Sequence, residues 1–440
     1  MKVKKCLALI SAAVMLTVLP VQAGEYYPEV QDEDNRIQLY DDSEEIAESE
    51  YLNLSGQGLT SLDILEIMDL TGVQSIDLSN NNLVSLEGAD ELSLTGVTSL
   101  NLSLNNLKSL DGIEKFPNLE QLNISGGYLM DLELLSSLQH PEKLKILYAS
   151  GCDLRNLSGV EILGGLQTLS VGDNRLEGIK EITALKSLQN LFAENNRIIS
   201  LEGIGGLENL KIAELNTNQI TDVKGLENNP GLSYLGLSYN QITDLKGIEK
   251  AVNLQTVFLD NNEELQNIVP LYGLSRLENV RLDSTDVPLE DKWELAGFHD
   301  VEAEPGEWVR LNHVSWMFGN GEELSIESDD TSLEIESEQA MLLVKVRGNR
   351  PGVYHLRLRC GEIEQTVTVE VTGQSSVKGD ATGDGNVDIA DLRLVLRSVC
   401  GKAELTEVQT AAAEVNGDGL VDIMDLRMLL RVVCGKIELL

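Results

Sequence analysis

The sequence predicts three structured modules in series: a solenoid of stacked repeats with a parallel sheet on its concave side, an all-β sandwich, and a small all-α module with two acidic loops. Three observations carry that prediction. One apolar phrase recurs eleven times between residues 51 and 298, at spacings of 22 to 25 residues. From 299 to 373 the texture changes to short runs in which apolar and polar residues alternate. DATGDGNVDIAD at 380–391 then returns 34 residues later as EVNGDGLVDIMD at 414–425.

The chain opens with MKVKKCLALISAAVMLTVLPVQA, in which Lys2, Lys4 and Lys5 precede an apolar run and small residues stand at Val21 and Ala23. That is the anatomy of a secretory signal peptide over 1–23, cut after Ala23. Residues 24–50 read as an acidic N-terminal cap region. No later stretch is apolar for long enough to cross a bilayer, so the expectation is an exported, soluble protein without direct membrane insertion. Lys and Arg number 33 against 72 Asp and Glu, a formal charge of −39. Such a surface repels nucleic acid and anionic lipid and suits divalent cations. Of five cysteines, Cys6 leaves with the signal peptide; Cys152, Cys360, Cys400 and Cys434 are scattered over the modules. Only Cys400 and Cys434 are plausible as a bridged pair.

The repeated phrase takes forms such as SIDLSNNNL, SLNLSLNNL, TLSVGDNRL and YLGLSYNQI, all versions of LxLxxNxL. Alternating apolar residues make a short strand that buries every second side chain, and the Asn after it can turn inward and bond the backbone of neighbouring turns. One repeat cannot bury its own face, so the repeats must stack. Cys152 occupies the Asn position of the fifth repeat and reads as a buried small residue there.

This wording resembles the leucine-rich repeat family, and its 22-residue form is similar to the internalin-type bacterial repeats. The resemblance covers about residues 50 to 298 and implies a curved solenoid. The residue between the two apolar positions of each strand points onto the concave sheet: polar in the first four repeats, aromatic at Tyr148, Phe192 and Phe258. Tyr234 takes the outward place just before a strand's first apolar residue. Exposed rings on a concave surface are the usual anchors for a protein or glycan ligand, and these four are the candidate ligand residues.

Between 299 and 373, runs such as EELSIES, MLLVKVRG and EQTVTVEVTG predict about seven strands. The segment resembles bacterial immunoglobulin-like domains, which implies a cap on the open end of the solenoid and a spacer. TGQSSVKG, 372–379, reads as a linker.

The tail, 374–440, carries the chemistry. A hard cation such as calcium takes six to eight oxygens, and a twelve-residue loop supplies them from positions 1, 3, 5, 7, 9 and 12, with Gly at 6 for the turn. In the first loop these are Asp380, Thr382, Asp384, the Asn386 carbonyl, Asp388 and Asp391. In the second they are Glu414, Asn416, Asp418, the Leu420 carbonyl, Asp422 and Asp425. Gly385 and Gly419 take the turn. Four carboxylates crowd each loop without a cation, so metal binding should be coupled to folding.

With apolar helices DLRLVLRSVC and DLRMLLRVVC after the loops, the pair resembles a dockerin module. The resemblance implies two calcium ions and, as partner, a cohesin domain on a scaffold or cell-surface protein. Family contact positions fall on Ile389, Ala390, Leu396 and Arg397 in the first copy and on Ile423, Met424, Leu430 and Arg431 in the second. Thr382 and Glu414 depart from the usual ligands, and Ile-Ala and Ile-Met replace the Ser-Thr pairs of the best-known type, which points to a different cohesin specificity.

The expectation is therefore a secreted, non-enzymatic binding protein, from a Gram-positive anaerobe. His140, His299, His313 and His355 form no ligand or triad spacing, and the modules leave no room for a catalytic domain. Two alternatives stay open: an accessory or enzymatic component of a cellulosome-type polysaccharide-degrading complex, and an internalin-like adhesin whose calcium loops are only structural.

Overall fold

A computed structural model describes residues 50–88, 92, 94–316, 324–338, 343–373 and 377–436. The expected signal peptide and nearly all of the acidic cap region lie outside the described residues. The chain forms two compact units, 1–193 and 194–440.

The first unit is built from seven three-residue strands: β1 Tyr51–Asn53, β2 Ser75–Asp77, β3 Ser99–Asn101, β4 Gln121–Asn123, β5 Ile146–Tyr148, β6 Thr168–Ser170 and β7 Asn190–Phe192. Each pairs in parallel with the next, with the repeat positions in register. From β2 onward the central residue of each strand is buried and its two neighbours are half-buried, as period-2 alternation requires. Leu78, Leu83 and Leu86 show what one turn adds to the core: all three are fully buried, and each such side chain stabilises by roughly 1.5–3 kcal/mol.

An Asn closes the turn after β2, β3 and β6. Asn81 donates from Nδ2 to the carbonyls of Leu54 at 2.9 Å and Leu78 at 2.8 Å, while its Oδ1 accepts from Leu59 N at 2.9 Å. Asn105 and Asn174 repeat the pattern. At Cys152 the buried thiol takes the place of the amide and bonds the Ile124 carbonyl at 3.2 Å. Short 3-10 turns, such as Ile113–Lys115 and Val160–Ile162, return the chain to the next strand. Gly112 enters the first of these at φ 99°, where a Cβ would run into the Leu86 carbonyl, so no other residue fits.

In the second unit β8 Ile212–Glu214, β9 Tyr234–Gly236, β10 Thr256–Phe258 and β11 Asn279–Arg281 continue the same parallel pattern, with Asn218, Asn240 and Asn262 in the ladder. Helix α1, Leu289–Ala296, follows and ends at Gly297 with φ 63°. After β12 Val301–Ala303 and β13 Trp308–Arg310, strand β14 Ser315–Trp316 pairs in parallel with β11. The ladder thus takes its last rung from beyond residue 298, inside a run whose alternation the sequence assigns to the sandwich.

The remaining strands are β15 Leu324–Ser328, β16 Leu333–Glu338, β17 Leu343–Gly348, β18 Gly352–Cys360 and β19 Ile363–Val371. They complete two sheets, β12-β19-β18-β15 and β13-β17-β16. Tyr354, Leu356, Leu358 and Cys360 face one core, which Trp293 of α1 and Phe298 also enter. The Trp293 indole N–H donates to Gln365 at 2.8 Å, so its polar edge is satisfied where its rings are buried.

Past residue 376 come α2 Ile389–Val399, α3 Glu407–Ala413 and α4 Ile423–Val433. All three start with a capping box, in which the cap side chain and the third helical residue satisfy each other's backbone N–H. A small core of Ala381, Val395, Ala413, Val415 and Leu429 holds the two halves together.

Candidate functional site

The two loops before α2 and α4 are near copies. Asp388 and Asp422 cap their helices with the same backbone angles, φ −137° and ψ −162°. Gly385 and Gly419 sit at φ 87° and 83°, the left-handed conformation that the sixth loop position requires. Asp391 and Asp425, at the twelfth position, are fully buried and gather loop amides: Asp391 accepts from Thr382 at 2.9 Å and Asp388 at 2.7 Å, and Asp425 from Val415 and Asp422, both at 2.9 Å. Burial pushes the Asp391 carboxyl above the usual carboxylate range.

At the first position Asp380 is buried and accepts from the amides of Gly383, Asp384 and Gly385 at 2.8, 3.2 and 2.7 Å. Glu414 accepts from Gly417 and Asp418. Thr382 donates its hydroxyl to Asp391 at 2.9 Å. Asp384, Asn386, Asp388, Asp418 and Leu420 lie exposed on the loops, while Asn416 and Asp422 are half-buried. The carboxylates are turned onto amides, and among the described residues no three acidic, His or Cys side chains converge. None of these acids meets a Lys or Arg in an ion pair among the described residues. The residues nonetheless suit a hard cation: every donor is an oxygen, and a carboxylate oxygen that accepts one N–H keeps a second lone pair for a metal.

The loops differ in their surroundings. Arg350, at the β17–β18 turn, lays its methylenes within 3.4 Å of where a Cβ at Gly385 would stand, whereas nothing lies within 4 Å at Gly419. Sequence reasoning missed this contact, and no local signal marks it.

The eight family contact residues all lie on the outside of the helices. Ile389 is 56 % exposed, Ile423 50 % and Met424 52 %, with Leu396 and Leu430 close behind; Ala390, Arg397 and Arg431 are exposed too. Apolar side chains are thus left open in duplicate on a module with a small core. Cys400 and Cys434, at the helix ends, are free and exposed, so the bridge considered for them is not formed.

On the repeats, Tyr148 and Phe192 are half-buried at the sheet face of the first unit. Tyr234 and Phe258, expected as open rings, are only 8 % and 7 % exposed. Their rings meet edge to face at 5.5 Å, the Arg281 guanidinium lies over Phe258 at 4.1 Å, and the Tyr234 hydroxyl donates to Glu214 at 2.7 Å. Burial holds the Glu214 carboxyl and the Tyr234 hydroxyl above their ordinary ranges. Gly236 makes this possible, because a Cβ there would run into the Glu214 carboxylate. Position along the strand identified the rings as outward-facing; the long side chains of adjacent repeats then cover them.

Residues 378–433 match the dockerin type I domain family, and residues 71–129 match the leucine-rich repeat family. Among solved structures the chain is similar to an internalin, InlF, of Listeria monocytogenes at 21% identity, over 54% of this chain and 82% of that one, with a TM-score of 0.38. It is similar to internalin C2 of the same organism at 26% identity, over 44% and 80%, with a TM-score of 0.37. A leucine-rich repeat protein of Leptospira interrogans is 21% identical over 57% and 79%, with a TM-score of 0.41. No curated protein matches.

The chain therefore joins leucine-rich repeats, folded as a parallel-sheet solenoid, to a C-terminal helical dockerin. Domains of these two kinds suggest protein–protein binding, and dockerins generally bind calcium. Among the described residues no helix is long and apolar enough to cross a membrane.

Proposed function

We propose that this is a secreted, non-catalytic binding protein held to a cohesin-bearing scaffold or cell surface by its calcium-loaded dockerin, while its repeats take up a protein or glycan ligand. Two calcium ions are held, one by Asp380, Thr382, Asp384, Asn386, Asp388 and Asp391, the other by Glu414, Asn416, Asp418, Leu420, Asp422 and Asp425. Calcium supplies the positive charge that lets the crowded carboxylates share one loop and fixes the start of the helix that follows. The two-sheet domain between the modules acts as an immunoglobulin-like spacer and cap, a reading supported by β14, which closes the ladder beside β11.

The observation that carries the docking claim is the paired exposure of Ile389 with Ala390 and of Ile423 with Met424, each immediately after a metal loop. Their bulk and apolarity select a cohesin whose facing surface is apolar rather than hydroxyl-lined. The test is retention of the full protein on immobilised cohesins of several types. Ile389→Asp with Ile423→Asp should abolish retention and leave calcium binding intact. Undiminished retention by that variant would refute the assignment of the surface.

A further inference from the structure

The sheet face of the first unit has a composition at odds with the rest of the chain. Charged residues make up 24% of the protein, yet the solvent-facing places of β1–β7, with the residue two past each of β1–β6, carry Asp77 as their one charged side chain; the residue two past β7 is Glu194, the first of the second unit. Ser, Asn, Gln and Thr fill most of the others. Tyr51, Tyr148 and Phe192 supply rings, with Tyr51 39 % exposed and the other two half-buried. The second unit is different: Glu214, Asp260, Arg281 and Asp283 occupy the equivalent places there.

The amides of this face are also pre-set. Oδ1 of Asn53, Asn101 and Asn123 accepts the backbone N–H two residues on, at 2.9, 3.1 and 3.0 Å. An N–H can be met only by the oxygen, so each side chain is fixed with its NH₂ group turned away from that bond. Asn101 and Asn123 thus set donors side by side on β3 and β4, roughly 4.8 Å apart, with Asn53 on β1 beyond the Asp77 of β2, at no cost in side-chain ordering when a ligand arrives. Ser150 and Ser170 extend the polar face, their hydroxyls 3.0 Å apart.

We propose that this face is a binding site for a neutral polysaccharide laid across the strands. The proposal rests on the reading that the repeats take up a ligand, and it names that ligand's class. Sugar hydroxyls accept from the amide donors and bond the serine hydroxyls, and the C–H faces of pyranose rings stack on Tyr148 and Phe192. A protein partner for so acidic a molecule would be expected to bring basic residues, and this face offers them a single carboxylate. An uncharged polymer needs no charge complement.

The test uses the full chain in native gels containing glucomannan, xyloglucan, mixed-linkage β-glucan or arabinoxylan, with polygalacturonate as the acidic comparator. Migration should be retarded by at least one neutral polymer, and 0.5 M salt should leave the retardation unchanged, since no charge takes part. Tyr148→Ala with Phe192→Ala should raise the dissociation constant at least about tenfold. So should Asn101→Asp with Asn123→Asp, which keeps the oxygen on its backbone N–H and replaces the donor with a negative oxygen. Tyr239→Ala, an exposed ring in the other unit, should change nothing, and melting curves confirm that each variant is folded. Retardation by none of the four neutral polymers, or by polygalacturonate alone, overturns the proposal. So does retention unchanged by both sets of substitutions. A protein ligand captured by this same face, with no competition from the polysaccharides, overturns the glycan assignment while leaving ligand uptake by the repeats in place.

Discussion

Tyr234 donates its hydroxyl hydrogen to Glu214 at 2.7 Å across two neighbouring strands, and this bond shuts a part of the sheet that strand position alone leaves open. Glu214 is mostly enclosed, and burial holds its carboxyl above its ordinary value of 4.5. The fold therefore binds this proton more tightly than the unfolded chain does. The stability linked to it is fully present below about pH 4.5 and is lost as pH rises through the raised folded value. Glu214→Gln removes the ionisation and keeps an oxygen for Tyr234. Its melting temperature, relative to wild type, should climb from pH 4 to pH 7. A difference that stays flat across that range would contradict the cause given for the shift.

The Asn ladder predicts a cost in stability. Asn240 donates to the carbonyls of Leu215 and Leu237, both at 3.1 Å, and accepts from Ile220 N at 2.9 Å, all buried. Asn240→Ala strands these groups away from water, at about 1–3 kcal/mol for each group left unpaired. Urea unfolding should show a loss of at least ~2 kcal/mol, against less than ~0.5 kcal/mol for the exposed Gln241→Ala.

Thiol accessibility separates the four cysteines of the described residues. Cys400 and Cys434 are exposed and free, whereas Cys152 and Cys360 are buried, and burial also raises the Cys152 thiol. A chromogenic disulfide should titrate two thiols in the native protein and four in guanidinium. None in the native protein and two in guanidinium would mean that Cys400 and Cys434 are bridged after all.

Calcium removal tests the loops directly. A chelator should lower helix content, and Asp391→Asn and Asp425→Asn should each remove about one calcium from the titrated stoichiometry, since each replaces the closing carboxylate of one loop. A stoichiometry unchanged by both substitutions would remove these loops as the metal sites.

Much of this architecture is legible in the sequence because it depends on neighbours at fixed spacing. The interval of 22 to 25 residues places Leu78, Leu102 and Ile124 in one core file, and the offset of 34 places Gly385 and Gly419 at the same turn. What escaped depends on side chains from other elements. The alternation of EWVRLNHVSW is the same whichever sheet its strands join, so the pairing of Ser315 with Asn279 cannot be read from it. The covering of Phe258 requires Arg281 one repeat on, and the reach of Glu214 requires the missing side chain of Gly236. Strand position says where a side chain points, and the length of its neighbours decides whether it stays open.

The central claim is that a calcium-loaded dockerin anchors the protein. Isothermal titration of the full chain with a cohesin selected from a panel, in calcium and then in chelator, tests it most directly. The account predicts saturable binding in calcium and at least a hundredfold loss in chelator. Binding of equal strength in both, or no binding to any cohesin in calcium, would contradict it.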